Sequence, residues 1–193
     1  DYTMEGAQRG ASFNELIAKG FRKPESAKEF TELAQWINYN GYRAMYESSN
    51  VNRWGLIIWM SHPCWPSMVW QTYDYFFEPT AAYFGAKKAC EPLHIQWNEA
   101  TDSIEVVDLY AGDRKGLKAE LTVRNMRGEA LKTTTISPLD IRNDTTTPIT
   151  KVGKYEDLAE NYTEQTDVLY IDLKLYDEHG EILSENFYLK GKE

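Results

Sequence analysis

The sequence predicts an α+β chain, in which an N-terminal helical segment with one buried strand gives way to an antiparallel β-sandwich. Three observations lead there. Two Ser-x-x-Glu patterns, each followed by apolar residues at helical spacing, lie before residue 50. Gly55 to Met60 is a short, almost uninterrupted apolar run, as in a strand buried on both faces inside a parallel sheet or barrel. From Leu93 the apolar period changes to two, and seven short strands in roughly 100 residues fit an immunoglobulin-like sandwich. The change of period divides the chain into residues 1–91 and 92–193.

Asp1 to Gly10 has no periodicity and reads as an irregular entry. Ser12 and Glu15 form a capping box for a short helix with Phe13, Leu16 and Ile17 on one face, ended by Gly20. Ser26 with Glu29 opens a longer helix, whose Phe30, Leu33, Ala34, Ile37, Ala44 and Met45 keep helical spacing. Trp36, Tyr39, Tyr42 and Tyr46 widen its apolar side, which suits a helix packed on more than one flank. After the polar link Ser48 to Arg53 and the buried strand, Glu78-Pro79 offers a third helix start. Its small residues Ala81, Ala82, Gly85, Ala86 and Ala89 permit close approach, and Pro92 forbids continuation.

Strands are expected at Leu93 to Asn98, Ser103 to Asp108, Leu117 to Arg124, Ala130 to Ile136, Ile149 to Val152, Val168 to Leu175 and Ile182 to Leu189. Turn residues fall at Asn98 to Asp102, Asn125 to Glu129 and Asp177 to Gly180.

The chemistry concentrates between Trp54 and Trp97, which hold five of the six tryptophans. Pro63 and Pro66 stop the apolar run, and His62, Trp65, Ser67, Trp70, Tyr73 and Asp74 follow. Such a loop at a strand end can stack a polyhydroxylated ligand on indole faces while hydrogen-bonding to it. The blocks Leu56-Ile57-Ile58-Trp59-Met60, Trp65-Pro66-Ser67, Trp70-Gln71-Thr72-Tyr73-Asp74-Tyr75, Ala82-Tyr83-Phe84-Gly85-Ala86-Lys87-Lys88-Ala89 and Glu91-Pro92-Leu93-His94-Ile95-Gln96-Trp97 stand in one order. That series resembles the C-terminal edge of the catalytic barrel of family 2 glycoside hydrolases running into their next β-sandwich. The nearest branch holds exo-β-D-glucosaminidases and β-mannosidases, and the likeness covers about residues 26 to 110.

The resemblance implies that residues 1–91 are the C-terminal portion of a (β/α)8 TIM barrel and that residues 92–193 are the following immunoglobulin-like sandwich. It implies a parent hydrolase of carbohydrate catabolism that cleaves a terminal β-linked sugar with retention, and puts Trp59 on the eighth barrel strand, walling the sugar subsite. Trp65 either lines that cleft or braces the loop. Where relatives carry Asn, often followed by Asp, this chain has His62-Pro63; the imidazole can replace the amide as donor or acceptor. Trp70 and Trp97 read as structural.

A retaining glycosidase needs two carboxyl groups about 5 to 5.5 Å apart across the scissile bond. Asp74 and Glu78 sit on one local segment and cannot readily flank a sugar, so they read as loop hydrogen bonding and helix entry. In the family both catalytic glutamates come from earlier barrel strands, which places them before Asp1 and leaves this chain inactive alone. Glu5 lies outside the matched blocks and is not assigned.

Charge is uneven: residues 1–90 carry nine acidic and nine basic side chains, residues 91–193 carry 21 and 12, so the net −9 lies wholly in the second part. That sign repels phosphate backbones and anionic lipid, which argues against nucleic acid or membrane partners. Cys64 and Cys90 lack metal-ligand spacing and read as small buried hydrophobes rather than a disulfide. His62, His94 and His179 are scattered, so no metal and no cofactor is expected. No signal-peptide pattern fixes the compartment, and a periplasmic or secreted parent is compatible with the sequence. The sequons at Asn143 and Asn161 are short enough to arise by chance. A barrel strand without neighbours exposes an apolar face, which predicts that residues 1–90 either pack against the sandwich in a non-barrel arrangement or self-associate. The competing reading from another class is a non-catalytic carbohydrate-binding or structural β-sandwich module.

Overall fold

The structure, a computed structural model, describes residues 11–48, 55–66, 71–159 and 167–192. It divides into two compact units, Asp1–Cys90 and Glu91–Glu193. The chain is α+β, with helices in the first unit and antiparallel sheets in the second.

In the first unit α1 spans Ala11–Gly20, α2 Ala27–Glu47 and α3 Ala81–Ala89. Helix α1 already begins before Ser12, so that serine lies inside the first turn. Phe13 and Ile17 are buried one turn apart, while Leu16 faces out. Helix α2 starts at the expected N-cap: the Ser26 hydroxyl accepts from Glu29 N–H at 3.1 Å, while the Glu29 carboxylate reaches past the N-cap to accept from Glu25 N–H at 2.7 Å. Glu78-Pro79 does not open α3. Its N-cap is Thr80, and the cap bond comes from elsewhere, since Gln35 of α2 accepts from Ala81 N–H at 2.8 Å. Gly85 explains how closely the two helices meet, because a Cβ there would overlap the carbonyl oxygen of Tyr39.

The apolar run Gly55 to Met60 is not the buried strand that its composition predicts. It carries no strand assignment, bends at Trp59, and Ile57 is fully exposed at 101 %. A β-strand needs partners for its backbone N–H and C=O groups. Among the described residues of this unit the β pairing is one isolated bridge, Tyr73 with Pro79. Apolar composition alone does not bury a segment that has no strand partner among the described residues.

In the second unit β1 (Leu93–Asn98), β2 (Ser103–Asp108) and β5 (Thr145–Lys151) form one antiparallel sheet in the order β1-β2-β5. A second joins β4 (Ala130–Ile141), β3 (Arg114–Arg124), β6 (Val168–Tyr176) and β7 (Ile182–Gly191) in that order. Ile95 and Val106 of the first sheet and Val123, Leu169, Ile171 and Leu175 of the second belong to one buried cluster, so the sheets share a core. All seven expected strands form. Two run on through a proline, and both are edge strands: Pro148 lies in β5, and Pro138 falls where the β3–β4 register slips. The short helix α4 (Tyr155–Ala159), which turns Tyr155 and Leu158 inward, is an element that the period-two reading passes over.

Polar residues on the buried face of β7 close the unpaired edge of β1. Ser184 Oγ accepts from Ile95 N–H at 3.2 Å, and Asn186 Nδ2 donates to the Ile95 carbonyl at 3.2 Å. Both side chains are buried, which substitutes for a missing strand and shields the edge. Trp97 is in the core as expected, edge-on to Tyr188 with ring centroids 5.8 Å apart, its indole N–H donating to Asp102 at 3.3 Å.

Candidate functional site

The aromatic loop of the first unit is built from residues 55–66 and 71–80. The Ser61 carbonyl ties the two stretches together, accepting from Tyr73 N–H at 2.9 Å and from the Thr72 hydroxyl at 3.2 Å. Thr80 closes the far end: its N–H and hydroxyl both donate to the Thr72 carbonyl, the hydroxyl also to Gln71. Between these clamps the chain reverses at Asp74. One carboxylate oxygen of Asp74 accepts from Phe76 N–H at 2.8 Å and from Glu78 N–H at 2.9 Å. The turn leaves Phe76 and Phe77 outside, both more than 70 % exposed.

Trp59 is 82 % exposed and Trp65 64 % exposed, so neither is a core indole in this chain. The peptide joining Trp59 to Met60 is cis. His62 is half-buried, with its ring stacked on Phe77 at 4.3 Å between centroids and 16° between planes. Its Nε2 is enclosed and has no hydrogen-bond partner among the described residues. Phe77 is the residue that sequence reading missed, and the signal was the Asp-x-x-Phe-Glu spacing, which repeats later in the chain with glycine in place of Phe. Trp70, Glu5 and the sequon at Asn161 lie outside the described residues.

Asp74 is occupied by its turn, in keeping with a loop-building role. The cysteines correct the expectation of burial: both are free and exposed. Packing around Cys90 nevertheless raises its thiol pKa by desolvation, as it does the phenols of Tyr42 and Tyr46. Among the described residues no three His, Cys, Asp or Glu side chains are grouped to hold a metal ion. No described helix is long and apolar enough to cross a membrane.

The second unit brings Ser184, Glu91 and His94 together, but not as a nucleophile with its base. Ser184 Oγ donates to Glu91 at 3.1 Å, and His94 Nδ1 faces the same carboxylate at 3.4 Å. The Glu91 carboxylate stands between the serine and the histidine, and His94 Nε2 faces Asn186 Nδ2 at 3.3 Å, whereas a triad requires serine to hydrogen-bond to histidine.

No protein-family profile matches the chain. Curated relatives do. An exo-β-D-glucosaminidase of Arthroderma benhamiae is 29 % identical over 91 % of this chain and 20 % of its own length. A mannosylglycoprotein endo-β-mannosidase of Lilium longiflorum is 31 % identical over 93 % of this chain and 19 % of its own. The crystal structure of the Amycolatopsis orientalis exo-chitosanase CsxA superposes with a TM-score of 0.81 at 26 % identity, over 94 % of this chain and 22 % of that one. Over nearly its whole length this chain is similar to a part of exo-β-D-glucosaminidases and β-mannosidases. It spans about a fifth of the length of the glycosidases that it matches. A β-D-mannosidase from Dictyoglomus thermophilum, 20 % identical, shares the fold at a TM-score of 0.73. CsxA has also been solved as a complex with PNP-β-D-glucosamine.

Proposed function

We propose that the chain is part of a retaining exo-β-glycosidase acting on a terminal β-linked sugar of the glucosamine or mannose type. In this reading residues 1–91 are the last units of a (β/α)8 barrel, residues 92–193 an immunoglobulin-like sandwich, and Trp59, Trp65 and His62 wall the sugar subsite.

One observation supports the barrel part most directly. Ten of the fifteen large hydrophobic side chains exposed among the described residues lie in the first unit, against four of the 23 buried ones. A unit so apolar outside and so poor in core is built to pack against more protein. The unladdered run Gly55 to Met60 then awaits strands on both sides, and Trp59 stands near its carboxyl end, where barrel strands gather ligand.

In such a site the Trp59 face stacks on the C–H face of a pyranose, which orients the ring and excludes water. His62, with Nε2 enclosed, offers Nδ1 to a sugar hydroxyl. Asp74 builds its own turn, one carboxylate oxygen accepting two backbone N–H groups, and it shares that local segment with Glu78, so the two do not flank a sugar from opposite sides. The two carboxyl groups that carry retention are therefore assigned to sequence outside this chain.

The test is hydrolysis of aryl β-D-glucosaminide and β-D-mannoside. The 193-residue chain alone should give no turnover, and the protein expressed with the sequence preceding it in its reading frame should cleave one of them. Turnover by the chain alone, or a longer protein inert on both, overturns the reading.

A further inference from the structure

Three turns of this chain share one plan: Asp74–Glu78, Asn125–Glu129 and Asp177–Glu181. In each, the first residue's N–H donates to the carbonyl four residues on, at 2.9, 3.1 and 2.9 Å. Its side-chain oxygen accepts from the N–H groups two and four residues on, at 2.8 and 2.9 Å for Asp74, 2.9 and 3.0 Å for Asn125, and 2.9 and 2.8 Å for Asp177. The fourth residue of every turn has positive φ: 66° at Phe77, 82° at Gly128 and 87° at Gly180.

Two of the turns fill that position with glycine, which takes the left-handed backbone without strain. The first fills it with phenylalanine, for which the same backbone is a genuine outlier. Burial does not compensate, since Phe77 is 73 % exposed. What the ring does touch is His62, face to face at 4.3 Å. Strained positions persist where the strained residue has a task, and the contact names it.

We propose that Phe77 is a positioning residue: its ring fixes the plane of the His62 imidazole, holding Nε2 inward and presenting Nδ1 outward to a sugar hydroxyl. The sugar half of this rests on the function proposed above; the positioning half does not.

The experiment separates them. In the 193-residue chain, the ring C–H protons of His62 should resonate upfield in a ¹H–¹³C NMR spectrum, because they lie over the Phe77 ring. Phe77→Gly, which suits the turn better than the native residue, should move them to the position of a freely rotating imidazole without loss of thermal stability. Phe77→Tyr should restore the upfield position. His62 signals unchanged in Phe77→Gly, or not restored by Phe77→Tyr, overturn the proposal. In the longer, active protein Phe77→Gly should lower kcat/KM about as much as His62→Ala, and add nothing to it in the double variant. Equal losses from Phe77→Gly with and without His62 contradict positioning. A silent Trp59→Ala beside an intact NMR result would instead remove the sugar-site reading and leave the positioning in place.

Discussion

Trp59 presents 82 % of its surface to solvent, although a tryptophan commonly buries roughly 150–250 Å². An indole so placed at the end of an apolar run is a surface for a ligand or for further protein, and the proposed subsite takes it as the former. Trp59→Ala in the longer protein should lower kcat/KM about tenfold or more, the order expected from losing aromatic stacking and its buried area, with its melting temperature unchanged. Asp177 supplies a pH test. Backbone N–H groups, Glu181 first and then His179 and Gly180, hold its carboxyl below the usual carboxylate range. A depressed folded pKa means that its contribution is complete above the unfolded pKa of about 3.9 and is lost as pH falls through the folded value. Amide shifts of His179 and Glu181 should report that loss, and Asp177→Asn should keep the turn, as Asn125 does in its own, while removing the pH dependence. Residue types and their order were enough to mark Trp59, Trp65 and His62 as candidates. Phe77 was hidden because its contact spans fifteen positions and its φ is invisible in composition.

The elements of the second unit were legible almost throughout, since alternation, turn residues and β-branched content agree over Leu93 to Leu189. What escaped was what tertiary contact decides. Strand β4 runs five residues past its expected end at Ile136 because a proline can occupy a bulge on an edge strand. Helix α3 begins after Pro79 rather than with it, because Gln35 of another helix supplies the cap. Two substitutions probe these contacts. Gly85→Ala drives a methyl group into the backbone of α2 and should cost about 1–3 kcal/mol, read as faster amide exchange in α2 and α3; unchanged exchange would refute the close approach. Asn186→Ala removes the partner of the Ile95 carbonyl and of Tyr188 Oη. It should destabilise the second unit by about 1–3 kcal/mol in urea, and a loss under about 0.5 kcal/mol would mean that β1's edge is not held there.

Taken whole, the chain has one unit with a conventional core and one that leaves ten of its large apolar side chains exposed and buries few. The sequence could not reveal that asymmetry, because periodicity reports which residues seek burial and not whether anything arrives to bury them. Gly55 to Met60 is the case in point: the signal of a buried strand is present, and among the described residues strand partners are not. In solution the 193-residue chain should self-associate through the first unit, with a light-scattering mass that rises with concentration; a strict monomer at all concentrations would contradict that. The account as a whole turns on a saccharide meeting Trp59, so the direct measurement is steady-state hydrolysis of aryl β-D-glucosaminide and β-D-mannoside by the longer protein, native and Trp59→Ala. A fall in kcat/KM of about tenfold or more with the fold intact is the result predicted; an unchanged kcat/KM in a folded variant would contradict it.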